Sequence, residues 1–334
     1  MVGAGNEFNI FNIDPSKWTA ANTYINEKGE EVTRDPLNPD DLRRFVDIDG
    51  DGVDDRKVFS WSLPSDYVVL GVQGYFERGS DLVYITAAQP DANSDVGFTD
   101  ARLFILGVDD SFESSQILRN LELPGEIARG VIVENNQALI ASGTAGMGIV
   151  DVYLPSKAYL MESLKVAGDL PALDLTRTEQ TANGQPIYAV VSGEWKYPDM
   201  QLTSGEVADQ GGFSLVSRTD NGLAVLSSLD ISASRVKVMG QFAYLAAGDR
   251  GLVVIDISDP SNPRVVSRET NIGHVFDIDV SQHVLYAATG ERGVVSFDIS
   301  DPYNLEVLTG LDAFNNSISR HIVALSASVV SGGS

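Results

Sequence analysis

Two stretches of this chain are near-copies of one another. YLAAGDRGLVVIDISDP begins at Tyr244 and YAATGERGVVSFDISDP at Tyr286, an offset of about 42 residues. The pairs Tyr244/Tyr286, Gly248/Gly290, Gly251/Gly293, Asp256/Asp298, Asp259/Asp301 and Pro260/Pro302 fall in register. A third copy, ALIASGTAGMGIVDVYLP, keeps Gly143, Gly146, Asp151 and Pro155, with Leu139 and Leu154 replacing the Tyr and the second Asp. A repeat of this length constrains the fold more than composition does. One unit cannot cover its own apolar faces, so the copies must stack.

Each copy reads as four short strands, here lettered a to d. In the copy that starts at His274, HVFDIDVS is strand a, VLYAATG strand b, VVSFDIS strand c and LEVLTG strand d. Gly-x-x-Gly between b and c supplies the positive φ of a tight hairpin with a bulge. Asp-Pro after strand c starts a type I turn, with Pro fixing φ at its second position. Asp151, Asp256 and Asp298 recur once per copy, which marks a turn residue that satisfies backbone N–H groups. No stretch keeps a helical period. A four-stranded unit of this size is one blade of a β-propeller; a β-helix coil is usually shorter and parallel.

Strand a falls near Tyr67, Ile127, Leu170, Arg235 and His274, giving five complete blades. The ends supply a sixth. His321-Ile-Val-Ala-Leu is similar to the strand a that starts at His274, and GAGNEFNIFNIDP is similar to ATGERGVVSFDISDP. The predicted fold is therefore all-β: one β-propeller domain over 1–334, with about six four-stranded blades. Its ring is closed by joining N- and C-terminal half-blades, with residues 7–13 pairing beside 320–326. Closure removes exposed sheet edges.

GLVVIDISDPSNPRVV and GVVSFDISDP resemble the LVIVD-repeat family, named for this strand-c pattern. The resemblance implies a bacterial or archaeal β-propeller, commonly exported. It implies no particular activity, because the family has no shared catalytic motif that matches here.

The sharpest chemical motif is FVDIDGDGVDDRKVF. Asp47, Asp49 and Asp51 alternate, followed by Gly52 and Asp55. Alternate carboxylates converge when the backbone curls round a cation, and the Val53 carbonyl adds another oxygen. Calcium takes six to eight hard oxygen ligands, which this segment approaches. Val58 stands where an EF-hand would place a bidentate Glu. The segment is instead similar to the calcium loop of integrin-type FG-GAP hairpins, with Asp55 as the last carboxylate and Phe45-Val46 and Lys57-Val58-Phe59 as hairpin strands. By the repeat register it lies in an acidic insertion, 16–56, between strands c and d of the composite blade. The expected cofactor is Ca2+ in a structural role. Loops of this type bind at the calcium levels found outside cells, so the expected location is extracellular or cell-surface. The opening MVGAGNEFNIF lacks the basic and apolar segments of a signal peptide. Export therefore calls for a signal outside these residues.

The formal net charge is −24, and seven of the 23 basic residues are Lys. Such a surface repels the phosphate backbone, so nucleic acid is not an expected partner. No apolar run approaches the length of a membrane helix. With no cysteine, disulfides and Cys-ligated zinc are excluded. His274, His283 and His321 are the three histidines, and two of them share a repeat position, which points to blade geometry. Gly-x-Ser-x-Gly, Walker and His-Glu-x-x-His patterns are absent from the sequence. Gly143-Thr-Ala-Gly-Met-Gly aligns with the b–c hairpins of the other copies, so it is a turn and not a phosphate loop.

Two b–c connections are long, 89–100 and 194–210, and share one end of the ring in a propeller. The second carries Trp195, Tyr197 and Met200, aromatic and apolar contacts suited to a protein or glycan partner at the cell surface. The functional expectation is a calcium-binding surface or structural module of a larger protein. The alternative is a secreted propeller hydrolase or lyase that uses carboxylates and calcium. Acids and bases clustered at the channel mouth would favour the enzyme.

Overall fold

The computed structural model describes residues 2–4, 6–11, 23–25, 29, 31–33, 57–64, 66–77, 80–108, 115–166, 170–193, 195–196, 201–202, 212–219, 221–290 and 292–311. Five four-stranded antiparallel sheets follow one another along the chain. The first is Val68–Glu77, Ser80–Pro90, Phe98–Val108 and Ser115–Glu122. The second is Val131–Glu134, Gln137–Ala141, Met147–Asp151 and Tyr159–Leu164. The third is Ala172–Ala182, Gln185–Ser192, Phe213–Thr219 and Gly222–Leu229. The fourth is Arg235–Met239, Phe242–Ala246, Leu252–Asp256 and Arg264–Glu269. The fifth is Asp277–Ser281, Val284–Ala288, Val294–Asp298 and Glu306–Leu311. Each is a plain meander, and the leading strands of successive sheets touch. The architecture is propeller-like.

The number of complete four-stranded sheets is five, not about six, and no closed ring is present among the described residues. Before the first sheet lies a three-stranded one, in the order Val2–Ala4, Glu7–Phe11, Lys57–Ser62. This corrects the expected pairing of 7–13 beside 320–326. Glu7–Phe11 has Val2–Ala4 on one edge and Lys57–Ser62 on the other. A strand-c segment takes b and d as neighbours, so a C-terminal strand has no place beside it. Residues 320–326 lie outside the described residues. Glu7–Phe11 and Lys57–Ser62 are adjacent antiparallel strands, and between them in the chain lies a small hairpin, Thr23–Ile25 with Glu31–Thr33.

The middle strands of the third and fourth sheets are apolar on both faces because these sheets have a neighbour on each side. In the fourth sheet Ala243, Leu245, Val253 and Ile255 pack against the third, beside Ile187, Ala189 and Leu215. Tyr244, Ala246, Leu252 and Val254 turn to the fifth, beside Leu285, Ala287 and Phe297. Runs such as FAYLA and LVVID thus lose the polar alternation of a half-exposed strand.

The repeated residues do the turn work expected of them. Gly143 and Gly146 have φ of 52° and 82°, Gly248 and Gly251 61° and 77°, and Gly290 and Gly293 64° and 74°. These left-handed angles are the ones glycine adopts without steric cost. Asp151 accepts a hydrogen bond from Tyr153 N at 2.9 Å, Asp256 from Ser258 N at 2.9 Å and Asp298 from Ser300 N at 2.8 Å. The Asp-Pro turns close with Asn262 N on Asp259 O and Asn304 N on Asp301 O.

Sheets are stitched by backbone as well as by side chains. Gly143 O accepts Ala172 N at 2.9 Å, Ser192 O accepts Ala233 N at 3.2 Å, and Gly248 O accepts Val275 N at 2.9 Å. At Gly71, a Cβ would lie 2.0 Å from Arg129 O and 2.5 Å from Thr86 Oγ1, so the first and second sheets approach through a residue without a side chain. Gly71→Ala is expected to cost about 1–3 kcal/mol by overpacking. Urea unfolding checks this: the midpoint should fall while the slope stays the same.

Candidate functional site

A cluster of buried charged groups lies where the leading strands begin. Arg129 precedes the first strand of the second sheet and is 2% exposed. Its guanidinium donates to Ser234 O of the fourth sheet at 2.5 Å, while its own carbonyl accepts Thr86 Oγ1 of the first sheet at 2.9 Å. Arg235 spans two neighbours: Nε lies 3.2 Å from Asp277 of the fifth sheet and Nη1 3.6 Å from Asp174 of the third. Asp174 also accepts Val236 N at 3.0 Å. Ser234 Oγ donates to Phe276 O at 3.1 Å. Two residues further along the same strands, Lys237 and Asp279 pair at 3.1 Å.

The register explains the meeting. Arg129 N, Ser234 N and Phe276 N each bond the last alanine of their own second strand: Ala141, Ala246 and Ala288. Gly130, Arg235 and Asp277 therefore hold one repeat position. Gly130 has no room for a side chain, since a Cβ there would sit 2.7 Å from Asp174 Oδ1.

Burial sets the electrostatics. Loss of water, with repulsion from Arg235, pulls Arg129 down to about 9, against attraction from Asp174 and Asp277; it stays charged at neutral pH. Burial also opposes the charge on Arg235, but Asp277 and Asp174 outweigh it and hold its pKa above the usual value. Asp174 and Asp277 are 8% and 7% exposed. The cations Arg129, Arg235 and Lys237 thus face the anions Asp174, Asp277 and Asp279, and the arrangement ties the second to fifth sheets together.

Sequence reasoning did not single out this network. The available signal was charge inside otherwise apolar inner strands, in LDL at Asp174 and FDID at Asp277, at positions equivalent to Arg235. Conversely, the predicted calcium ligands Asp47, Asp49, Asp51, Val53 and Asp55 lie outside the described residues. Lys57-Val58-Phe59 opens the outer strand of the N-terminal sheet, where Lys57 pairs with Phe11 and Phe59 with Ile10. Phe45-Val46, the other strand expected for that hairpin, lies outside the described residues. Among the described residues no group of three or more His, Asp or Glu is arranged to hold a metal.

Trp195-Lys196 pairs with Gln201-Leu202 as a two-stranded hairpin at the b–c connection of the third sheet; Tyr197 and Met200 lie outside the described residues. The other long b–c connection extends the two strands and closes through Asp91 N on Gly97 O at 2.9 Å. At its base Asp100, with φ of 49°, accepts bonds from Tyr67 Oη and, at 2.7 Å, Arg102 Nε.

His274 Nδ1 meets Asp249 at 2.8 Å, and its ring packs 4.4 Å from that of Phe276. That places it in blade geometry. No helix among the described residues is long and apolar enough to cross a membrane.

These features define an all-β repeat protein of propeller-like build whose inner strands are joined by buried ion pairs. Residues 125–166 and 232–270, the second and fourth sheets, match the LVIVD repeat. No curated protein sequence matches the chain. Among solved structures it is similar to a provisionally assigned 6-phosphogluconolactonase from Bacteroides uniformis, at 14% identity, covering 80% of this chain and 76% of that one, with a TM-score of 0.56. It is also similar to the computationally designed Ika8 protein, at 10% identity, 79% and 67% coverage and a TM-score of 0.50. At these identities the likeness is one of fold.

Removing one partner of a buried pair leaves an uncompensated charge. Asp277→Ala is therefore expected to cost about 3 kcal/mol, whereas Arg235→Met with Asp277→Leu should recover only part of the loss, because Asp174 then loses its Arg235 partner. A double-mutant cycle of Arg235→Met and Asp277→Leu by urea unfolding measures it; additive losses would contradict coupling of the pair.

Proposed function

We propose that the protein is a non-catalytic, calcium-ordered propeller module of an extracellular or cell-surface assembly. The observation that supports this most is the condition of the inner-strand charges. Asp174, Asp277, Arg129 and Arg235 are buried and engaged with one another and with backbone groups, which suits a scaffold better than an acid–base pair waiting for a substrate. The calcium part rests on sequence: Asp47, Asp49, Asp51, Asp55 and the Val53 carbonyl form an FG-GAP-like ligand set in the 16–56 insertion, where a bound ion replaces a missing apolar core. The extracellular location follows from the calcium concentration such loops need. Calorimetry on chelator-treated protein should show one calcium bound, with binding weakened by Asp51→Ala; no heat of binding would sink the calcium reading.

The second reading, a propeller hydrolase, draws on the likeness to the provisionally assigned 6-phosphogluconolactonase, which brings no catalytic residue with it. Chromogenic esters, phosphates and glycosides, together with 6-phosphogluconolactone, should be turned over at background rate. Turnover lost on Asp277→Asn, with folding retained, would favour the enzyme.

In the same proposal the ring has six blades, its last inner strand coming from 320–326 and lying beside Val2–Ala4. Two features of the fifth sheet support it. Tyr244 is buried against the next sheet, whereas Tyr286, at the same repeat position, is only partly buried. Gly143 O and Gly248 O accept both a turn N–H and the next sheet's N–H, whereas Gly290 O takes the turn bond from Gly293 alone among the described residues. Deleting 1–14 should lower the melting temperature sharply; an unchanged curve would overturn closure.

Recognition falls to the two b–c hairpins, with Trp195, Tyr197 and Met200 as contacts for a protein or glycan. A glycan array probed with the intact protein and with Trp195→Ala should lose its strongest signals in the variant. Signals equal in the two proteins would exclude this surface from glycan recognition.

A further inference from the structure

We draw no further inference here: the strongest candidate, the exposed apolar patch of Ile117, Tyr153, Leu154, Tyr159 and Met161 on the outer rim of the first and second sheets, carries formal charges that balance, Arg119 and Lys157 against Asp151 and Glu162, and nothing in the structure shows what covers it.

Discussion

Everything in this molecule depends on covering both faces of each sheet at once. A four-stranded meander with apolar residues on both sides has no stable existence alone; it needs a neighbour on each side. The layers between consecutive sheets supply this for the sheets with a neighbour on each side. Leu139, Ile149 and Met147 of the second sheet lie with Tyr188 and Val190 of the third, and the same apolar layering recurs between the third and fourth and between the fourth and fifth. Packing of this kind is non-directional, so it holds the sheets together without setting their angle or register.

Angle and register come from the polar groups where the inner strands converge. The bonds Gly143 O to Ala172 N, Ser192 O to Ala233 N and Gly248 O to Val275 N recur from one sheet to the next and set each inner strand at a fixed height against its predecessor. The network of Arg129, Asp174, Arg235 and Asp277 then joins non-neighbours as well, since Arg129 of the second sheet reaches Ser234 of the fourth. Buried charges are a costly way to gain stability, because desolvation offsets much of the attraction. A guanidinium placed between two carboxylates of neighbouring sheets does join those sheets at one defined point.

The same convergence bears on function. Propeller-like rings commonly place binding groups near the inner strands or on the loops at one end, because that is where several repeats meet. In this chain the inner charges are committed to one another, leaving the loops as the surface free to vary without disturbing the core. The two long b–c connections use that freedom differently. One continues its parent strands to a compact tip held by Asp91, Ser94 and Gly97, with Asp100, Tyr67 and Arg102 bracing its base. The other forms a separate two-stranded hairpin at Trp195 and Leu202.

Sequence alone determined the parts whose causes are local. Glycines at Gly143, Gly146, Gly248, Gly251, Gly290 and Gly293 announce positive φ wherever they occur, and Asp151, Asp256 and Asp298 cap their turns through bonds two residues long. The repeat therefore disclosed four strands per unit and five complete units. Tertiary structure alone decided what depends on residues far apart in the chain. That Glu7–Phe11 takes Lys57–Ser62 as its other neighbour joins segments more than forty residues apart. That Arg129, Asp174, Arg235 and Asp277 meet depends on four inner strands converging across more than a hundred residues of chain, as the bond from Arg129 to Ser234 spans 105 positions. Along the sequence these charges are isolated interruptions in apolar runs; only the side-by-side stacking of the sheets turns them into one network.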